Sequence, residues 1–322
     1  MAILDIRNLT VSFATPDGAV SAVNDVSLSL QKGECLGIVG ESGSGKSQTF
    51  MAAMGLLATN GTARGEILFD GKNLIGADEG TLNTVRGNRM GMIFQDPMTS
   101  LTPHMKIGRQ LGEVMIRHRG ASISQAREQA LAMLKRVQVP EAERRLDMYP
   151  HELSGGLRQR VMIAMALMCS PEAIIADEPT TALDVTVQAQ ILDILRDVKE
   201  RLNTAVVLIT HDLGVIAGLA DRVAVMYAGR IVEVGDVRGI FADPQHPYTK
   251  GLLACTPRLD DACGGLMTTI SGQPPNLQRL PAGCAFHPRC GYASERCSAE
   301  RPALEQTAPT RAKACFANLK AA

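Results

Sequence analysis

The sequence predicts an α/β fold built on a parallel sheet, and three observations carry that prediction. Short apolar runs suited to buried strands, at 35–39, 173–176 and 205–209, alternate with helical patterns. The first run opens onto Gly40-Glu41-Ser42-Gly43-Ser44-Gly45-Lys46-Ser47, which fits the phosphate-cradling pattern G-x-x-x-x-G-K-[ST]. Residues 48–57 hold no proline and read as helix, so the loop has a strand before it and a helix after it. That context argues against a merely flexible glycine loop. The glycines let the backbone curl with successive N–H groups inward, and a helix N-terminus favours anions. Lys46 is then placed to reach the outer phosphates of a nucleoside triphosphate, and Ser47 to offer its hydroxyl to Mg2+, which takes hard oxygen ligands.

With 322 residues, 45% of them apolar and 20% charged, the chain has room for one large globular domain and an appendage. The division expected is 1–240, with a helical subdomain at about 96–170, followed by 241–322. Lys plus Arg and Asp plus Glu both number 33, so no basic excess points to nucleic acid. Met1-Ala2-Ile3-Leu4-Asp5 lacks the start of a signal peptide, and the longest apolar run, 161–169, has nine residues, about half of a membrane span. A cytoplasmic protein is expected, still able to dock on a membrane protein. In that reducing compartment the eight cysteines read as thiols or metal ligands. No repeat is visible.

Taken in order, residues 3–30 are strand-like, with Val26-Ser27-Leu28-Ser29-Leu30 alternating and Thr15-Pro16-Asp17-Gly18 as a turn. Antiparallel strands beside the nucleotide core follow from this. Phe13, ending the first of them, is either plain core or a stacking partner for a purine ring. Residues 65–71 read as another strand, and 91–95 as a buried strand ending at Gln95, where Asp96-Pro97 bends the chain. Residues 107–145 are helical in period, with breaks at Gly120 and Pro140, and form the inserted helical subdomain.

Leu153-Ser154-Gly155-Gly156 opens a helix that runs to about Met168. Ser154 can cap it, and the two glycines leave first-turn N–H groups uncovered, so the stretch reads as an N-cap or as a second anion site. The run at 173–176 delivers Asp177 and Glu178 to the strand end where ligands of parallel sheets gather. Asp177 fits an acid that holds Mg2+, and Glu178 a group that orients or deprotonates water. Residues 187–202 form an amphipathic helix, and the strand at 205–209 ends at His211, on the same sheet edge. A hairpin of 222–227 and 230–234, turning at Ala228-Gly229, closes the core.

In this order and spacing the motifs resemble those of the ATP-binding subunits of ABC transporters, and Leu153-Ser154-Gly155-Gly156 matches that family's signature. The resemblance implies a P-loop ABC ATPase fold and assigns roles position by position. Gly40, Ser42, Gly43, Ser44, Gly45, Lys46, Ser47 and Gln48 look like the Walker A loop, and Asp177 ends a Walker B strand. Glu178 looks like the catalytic glutamate and His211 the H-loop histidine. Gln95 resembles the Q-loop residue, which joins Ser47 and Asp177 around Mg2+. Phe13 takes the place of an adenine-stacking aromatic that is often Tyr, and Thr181-Ala182-Leu183-Asp184 is similar to the D-loop. Every catalytic position carries its usual residue type. The family implies two such subunits head to tail, each ATP sandwiched between one Walker A loop and the partner's residues matching Ser154, Gly155 and Gly156. ATP closes that dimer and hydrolysis reopens it.

Pro244-Gln245-His246-Pro247-Tyr248-Thr249, followed by Gly251-Leu252-Leu253, resembles the extension on ATPases of peptide and nickel importers, and over nearly its whole length the chain looks most like the D-type ATPases of oligopeptide permeases. This implies a peripheral protein on the cytoplasmic face of the inner membrane that powers peptide import. Its expected partners are two membrane permeases, a sister F-type ATP-binding subunit and an extracytoplasmic peptide-binding protein. The alternatives are an importer of nickel or another solute, and a non-transport ABC ATPase; the second ATPase domain or long coiled coil usual in the latter is not seen in this chain.

Cys284, Cys290, Cys297 and Cys315 stand as C-x5-C-x6-C-x17-C in a tail that holds nine of the 16 prolines. Such a composition builds little core, which makes a metal centre a useful staple. Four thiols read as zinc or iron–sulfur ligands or as free cysteines, and the lack of a short C-x2-4-C pair tilts the choice towards [4Fe-4S]. The resemblance to peptide-importer ATPases, which carry such a cluster there, implies the same. With Zn2+ instead, His287 is a substitute ligand. Cys35, Cys169, Cys255 and Cys263 read as ordinary thiols.

Overall fold

The computed structural model describes residues 2–181, 183–255 and 269–319. Two long strands, β1 (Ala2–Thr15) and β2 (Gly18–Gln31), lead into the short, wholly buried β3 (Cys35–Val39). Helix α1 (Lys46–Ala53) lies earlier than the expected 48–57, because Gly55 takes φ +60° and stops it. After β4 (Gly61–Phe69), β5 (Lys72–Asn73), α2 (Glu79–Val85) and β6 (Met90–Ile93) come four helices: α3 (Pro97–Ser100), α4 (Ile107–Arg119), α5 (Ile123–Arg136) and α6 (Ala142–Arg145). Gly120, at φ +65°, ends α4, and a capping box of Ser122 and Gln125 starts α5. Next are α7 (Gly155–Leu167), β7 (Ala173–Asp177), α8 (Val185–Leu202), β8 (Ala205–Thr210), α9 (Leu213–Leu219), β9 (Arg222–Tyr227), β10 (Arg230–Asp236), α10 (Val237–Ala242) and α11 (Pro247–Ala254). The tail adds α12 (Glu295–Ala299), β11 (Glu305–Ala308) and β12 (Arg311–Lys313). Among the described residues no helix is long and apolar enough to cross a membrane.

The chain forms two compact units. The first takes residues 1–3, 30–34 and 76–208. In it β6 and β7 pair in parallel, Met90 opposite Ala173 and Ile93 opposite Ala176, and both strands are buried along their length. Strands buried on both faces read as continuous apolar runs, which is why the sequence pattern finds them. Helices α4, α5 and α7 pack on one another. Buried Arg160 of α7 locks that packing by donating to the carbonyls of Val137 (3.1 Å) and Gln138 (2.8 Å) beyond the end of α5.

The second unit takes residues 4–29, 35–75 and 209–322. One sheet has the order β2-β1-β4-β5, with β1 antiparallel to β4 from Leu4–Phe69 to Phe13–Gly61. The strand expected at 65–71 therefore starts earlier, at Gly61. The other sheet contributes β11-β12-β10-β9-β3, with β3 parallel to β9 and β10 antiparallel to β9 and β12. The Pro-rich tail builds more core than its composition suggests. Phe286 is buried edge-on to Tyr227, 5.2 Å between centroids, and packs on Tyr248 at 5.4 Å. Burial of such a ring stabilises by about 2–3 kcal/mol.

Candidate functional site

Because β3 runs parallel to β9, with Val39 opposite Val225, it releases the chain at Gly40 against the neighbouring strand. A Cβ at Gly40 would lie 2.2 Å from the Met226 carbonyl, and one at Gly45, where φ is +96°, 2.3 Å from the Ala22 carbonyl. No side chain tolerates either contact, so both positions of the motif require glycine. Gly45 is also the N-cap of α1 and supplies no side-chain cap, and the N-terminus of a helix favours an anion. The Ser44 hydroxyl is buried without a hydrogen-bond partner. Such an orphan costs about 1–3 kcal/mol, which a phosphate oxygen would relieve. Lys46 is buried, and its Nζ donates to the carbonyls of Gly40 (2.7 Å) and Glu41 (3.0 Å), spanning the loop. Ser42 and Gly43 form the exposed tip, and Ser47 and Gln48 are half-buried in the first turn of α1. The residues present fit a bound triphosphate.

In the same unit Phe13 is half-buried opposite Gly61, where an added Cβ would meet the ring edge at 2.7 Å. His211 is exposed just beyond β8, and the next residue, Asp212, caps α9 by accepting from the N–H of Gly214 at 2.7 Å. Glu41 of the phosphate loop carries contacts that the motif does not predict. Its N–H donates to the Tyr248 hydroxyl at 2.8 Å, and its carboxylate takes both arms of the Arg289 guanidinium, at 2.7 and 3.0 Å.

The first unit holds the acids. Asp177 is the buried last residue of β7. Glu178 follows with φ +47°, a left-handed backbone that costs a non-glycine residue roughly 1 kcal/mol. Three contacts hold it there. Its Oε2 accepts from Thr181 Oγ1 at 2.7 Å and from Gln95 Nε2 at 3.1 Å, while buried Gln159 donates to the Pro179 carbonyl at 2.7 Å. No sequence motif singles out Gln159, for which a glutamine inside the apolar stretch of α7 was the available signal, and Thr181 enters the sequence reading only as the first residue of the D-loop.

Ser154 stands at the N-cap of α7 with extended backbone, but its side chain makes no capping bond, contrary to the expected cap. Ser154 and Gly155 are exposed. A Cβ at Gly156 would approach Val187 Cγ1 to 3.0 Å, and the Val187 N–H donates to Asp184 Oδ1 at 2.9 Å. The signature glycine thus lies against the first turn of α8, the turn that the D-loop acid caps, and Asp184 as N-cap starts α8 at Val185 instead of 187. Ala182 lies outside the described residues.

Cys284, Cys290, Cys297 and Cys315 line one small cavity with His287. Burial pushes the thiols of Cys284, Cys290 and Cys315 upward. His287 Nδ1 lies 2.9 Å from the Cys284 carbonyl. Among the described residues, however, no group of three or more His, Cys, Asp or Glu side chains is arranged to hold a metal ion. Cys35 and Cys169 are buried, Cys255 is half-buried, and Cys263 lies outside the described residues. A larger cavity, about 500 Å3, is lined by Tyr227, Arg230, Phe286 and Arg301 and by none of the phosphate-loop residues, so size alone does not find the site.

Residues 23–181 match the family described as ABC transporter, which sets the class of the protein: an ABC-transporter ATPase. Residues 232–297 match the C-terminal region of oligopeptide/dipeptide transporters. The oligopeptide transport ATP-binding protein OppD of Salmonella typhimurium is 57% identical over 314 residues, 98% of this chain and 93% of its own length. OppD of Bacillus subtilis is 50% identical over 310 residues, 96% of this chain and 87% of its own. In fold the chain is similar to a dimeric ATP-binding cassette in a post-hydrolysis state bound to ADP and Pi, with a TM-score of 0.67 and 30% identity, covering 73% of this chain and 99% of that one. The chain belongs to the oligopeptide-transport ATP-binding proteins of the ABC family.

Proposed function

We propose that this chain hydrolyses ATP to power the import of peptides, as a peripheral subunit on the cytoplasmic face of the inner membrane. The observation that carries the peptide reading is the match of residues 232–297, because a phosphate loop is common to every cassette whereas that C-terminal region is described for oligopeptide and dipeptide transporters. The loop amides, Ser44 and Lys46 bind the phosphates, and Phe13 stacks on the adenine. Ser47, Gln95 and Asp177 are the residues that would hold Mg2+, which when bound would supply positive charge to the phosphate oxygens. Glu178 takes the proton from the attacking water, held in its turn by Thr181 and Gln95. His211 steadies the outer phosphate. Ser154, Gly155 and Gly156 serve the nucleotide of a facing subunit, a sister F-type ATP-binding chain; the exposure of Ser154 and Gly155 and the dimeric state of the similar cassette support this. Two permeases and an extracytoplasmic peptide-binding protein complete the assembly, and Met98, 57% exposed three residues beyond Gln95, is a contact for a permease.

Peptide-stimulated ATP hydrolysis and peptide uptake by the complex in proteoliposomes are the test. Stimulation by nickel salts and not by peptides would replace the peptide reading with the nickel one.

For the tail we propose a [4Fe-4S] cluster on Cys284, Cys290, Cys297 and Cys315. Four thiols lining one cavity are the type of donor that such a cluster takes. The cavity measures only about 10 Å3, room for about one water, so the thiols have to move apart for a cube. That small space favours Zn2+ as the second reading. Iron and zinc content of anaerobically purified protein decides between them.

A further inference from the structure

We propose that the C-terminal extension positions the phosphate loop, through Arg289 and Tyr248 acting on Glu41. A phosphate loop has no use for a carboxylate at this position, where the motif accepts any residue. A negative charge next to bound polyphosphate is repulsive. Glu41 is nevertheless held at both its ends by the extension. The Tyr248 hydroxyl accepts its backbone N–H at 2.8 Å, and the two arms of Arg289 take its two carboxylate oxygens at 2.7 and 3.0 Å. This fork-to-carboxylate pairing fixes direction as well as distance.

The anchor is itself rigid. Tyr248 is fully buried, and Arg289, with its side chain 5% exposed, spends its remaining hydrogen bonds on the carbonyls of Ser271 (2.9 Å) and Ile270 (3.3 Å) and on the Tyr227 hydroxyl (3.3 Å). Hydrogen bonding to Glu41 raises Arg289 further above its ordinary pKa, so the pair stays ionic. The anchor also reaches the lysine: the Glu41 carbonyl is one of the two acceptors that hold Lys46 Nζ. Arg289 ends the 3-10 turn His287–Arg289 and is followed by Cys290, one of the four cavity thiols, so the turn that carries the cysteine also carries the clamp. The extension thereby neutralises the loop's one carboxylate and sets the path of the backbone that cradles phosphate.

The inference rests on the loop binding nucleotide, and titration of a fluorescent ATP analogue onto the purified full-length chain separates the two. An unaltered chain that binds no analogue removes the nucleotide reading. Given that it binds, Arg289→Ala is expected to weaken binding about tenfold, by losing the clamp and baring Glu41. Glu41→Gln combined with Arg289→Ala is expected to regain most of that loss, because no bare charge remains. A merely structural role for Arg289 would show no such rescue. Binding by Arg289→Ala within twofold of the unaltered chain, or a double variant as weak as the single one, overturns the proposal. Should Arg289→Ala fail to fold, Tyr248→Phe removes only the acceptor of the Glu41 N–H. Binding about threefold weaker with an unchanged melting temperature supports the clamp, and unaltered binding counts against it.

Discussion

Gln95 Nε2 lies 3.1 Å from Glu178 Oε2 because β6 and β7 are parallel and in register. Ile93 is opposite Ala176, so each of the two side chains leaves its strand two residues past that rung. Residues 83 apart in the chain thus share one hydrogen bond. With Glu178 as the group that activates water, Glu178→Gln should lower turnover by roughly 100-fold to 10,000-fold while ATP still binds. Single-turnover hydrolysis in the assembled transporter checks this, and near-normal rates would remove Glu178 from the chemistry.

Lys46→Ala should act earlier, on binding. The lysine is buried and spans the loop between two carbonyls, so its loss removes both a phosphate contact and a loop cross-brace. Nucleotide affinity should fall by about 100-fold, the range for a charge-assisted contact in a partly dry site. Equilibrium binding of ATP shows it directly.

Ser154→Arg tests the facing subunit. Ser154 is exposed and makes no capping bond, so the substitution should leave the melting temperature of the isolated chain within about 2 °C. Hydrolysis in the full complex should nevertheless collapse. Unchanged hydrolysis there would mean that the signature does not meet nucleotide.

His246 predicts how stability depends on pH. It is buried, its Nδ1 accepts the Tyr248 N–H at 3.0 Å, and burial lowers its pKa from 6.5 to about 3. Below pH 6.5 the unfolded chain therefore takes up a proton that the folded chain refuses. Stability should fall as pH drops from 6.5 towards 3, by up to about 1.4 kcal/mol per pH unit from this group. Urea unfolding at several pH values measures the slope, and His246→Asn, which keeps a capping side chain, should flatten it.

Phe286→Ala should destabilise the second unit by about 3–5 kcal/mol, because the ring fills a buried cluster with Tyr227 and Tyr248. Faster proteolysis after residue 241 is the expected signature, together with weaker nucleotide binding, because Tyr248 and Arg289 pack on the same ring.

Much of the site was legible because its parts are local. A glycine forced by a carbonyl 2.2 Å away, an acid at the end of an apolar strand and a serine before two glycines each leave their mark within a few residues. The misreadings were local competitions settled by backbone geometry. Gly55 ended α1 earlier than its pattern suggested, Asp184 started α8 earlier, and Ser154 took the cap position without making the cap. In the tail, composition argued against a core, yet Phe286 found one among aromatic residues supplied by strands and helices far along the chain.

By itself the sequence determined the phosphate loop, the acid-ended strand, the signature helix and the strand-and-helix alternation, since each depends on the conformations that a short stretch allows. The tertiary structure alone decided that Gln95 meets Glu178 and that Arg289 grips Glu41 across 248 residues of chain. Those pairs depend on strand register and on where a distant turn comes to rest, and no spacing along a chain encodes either.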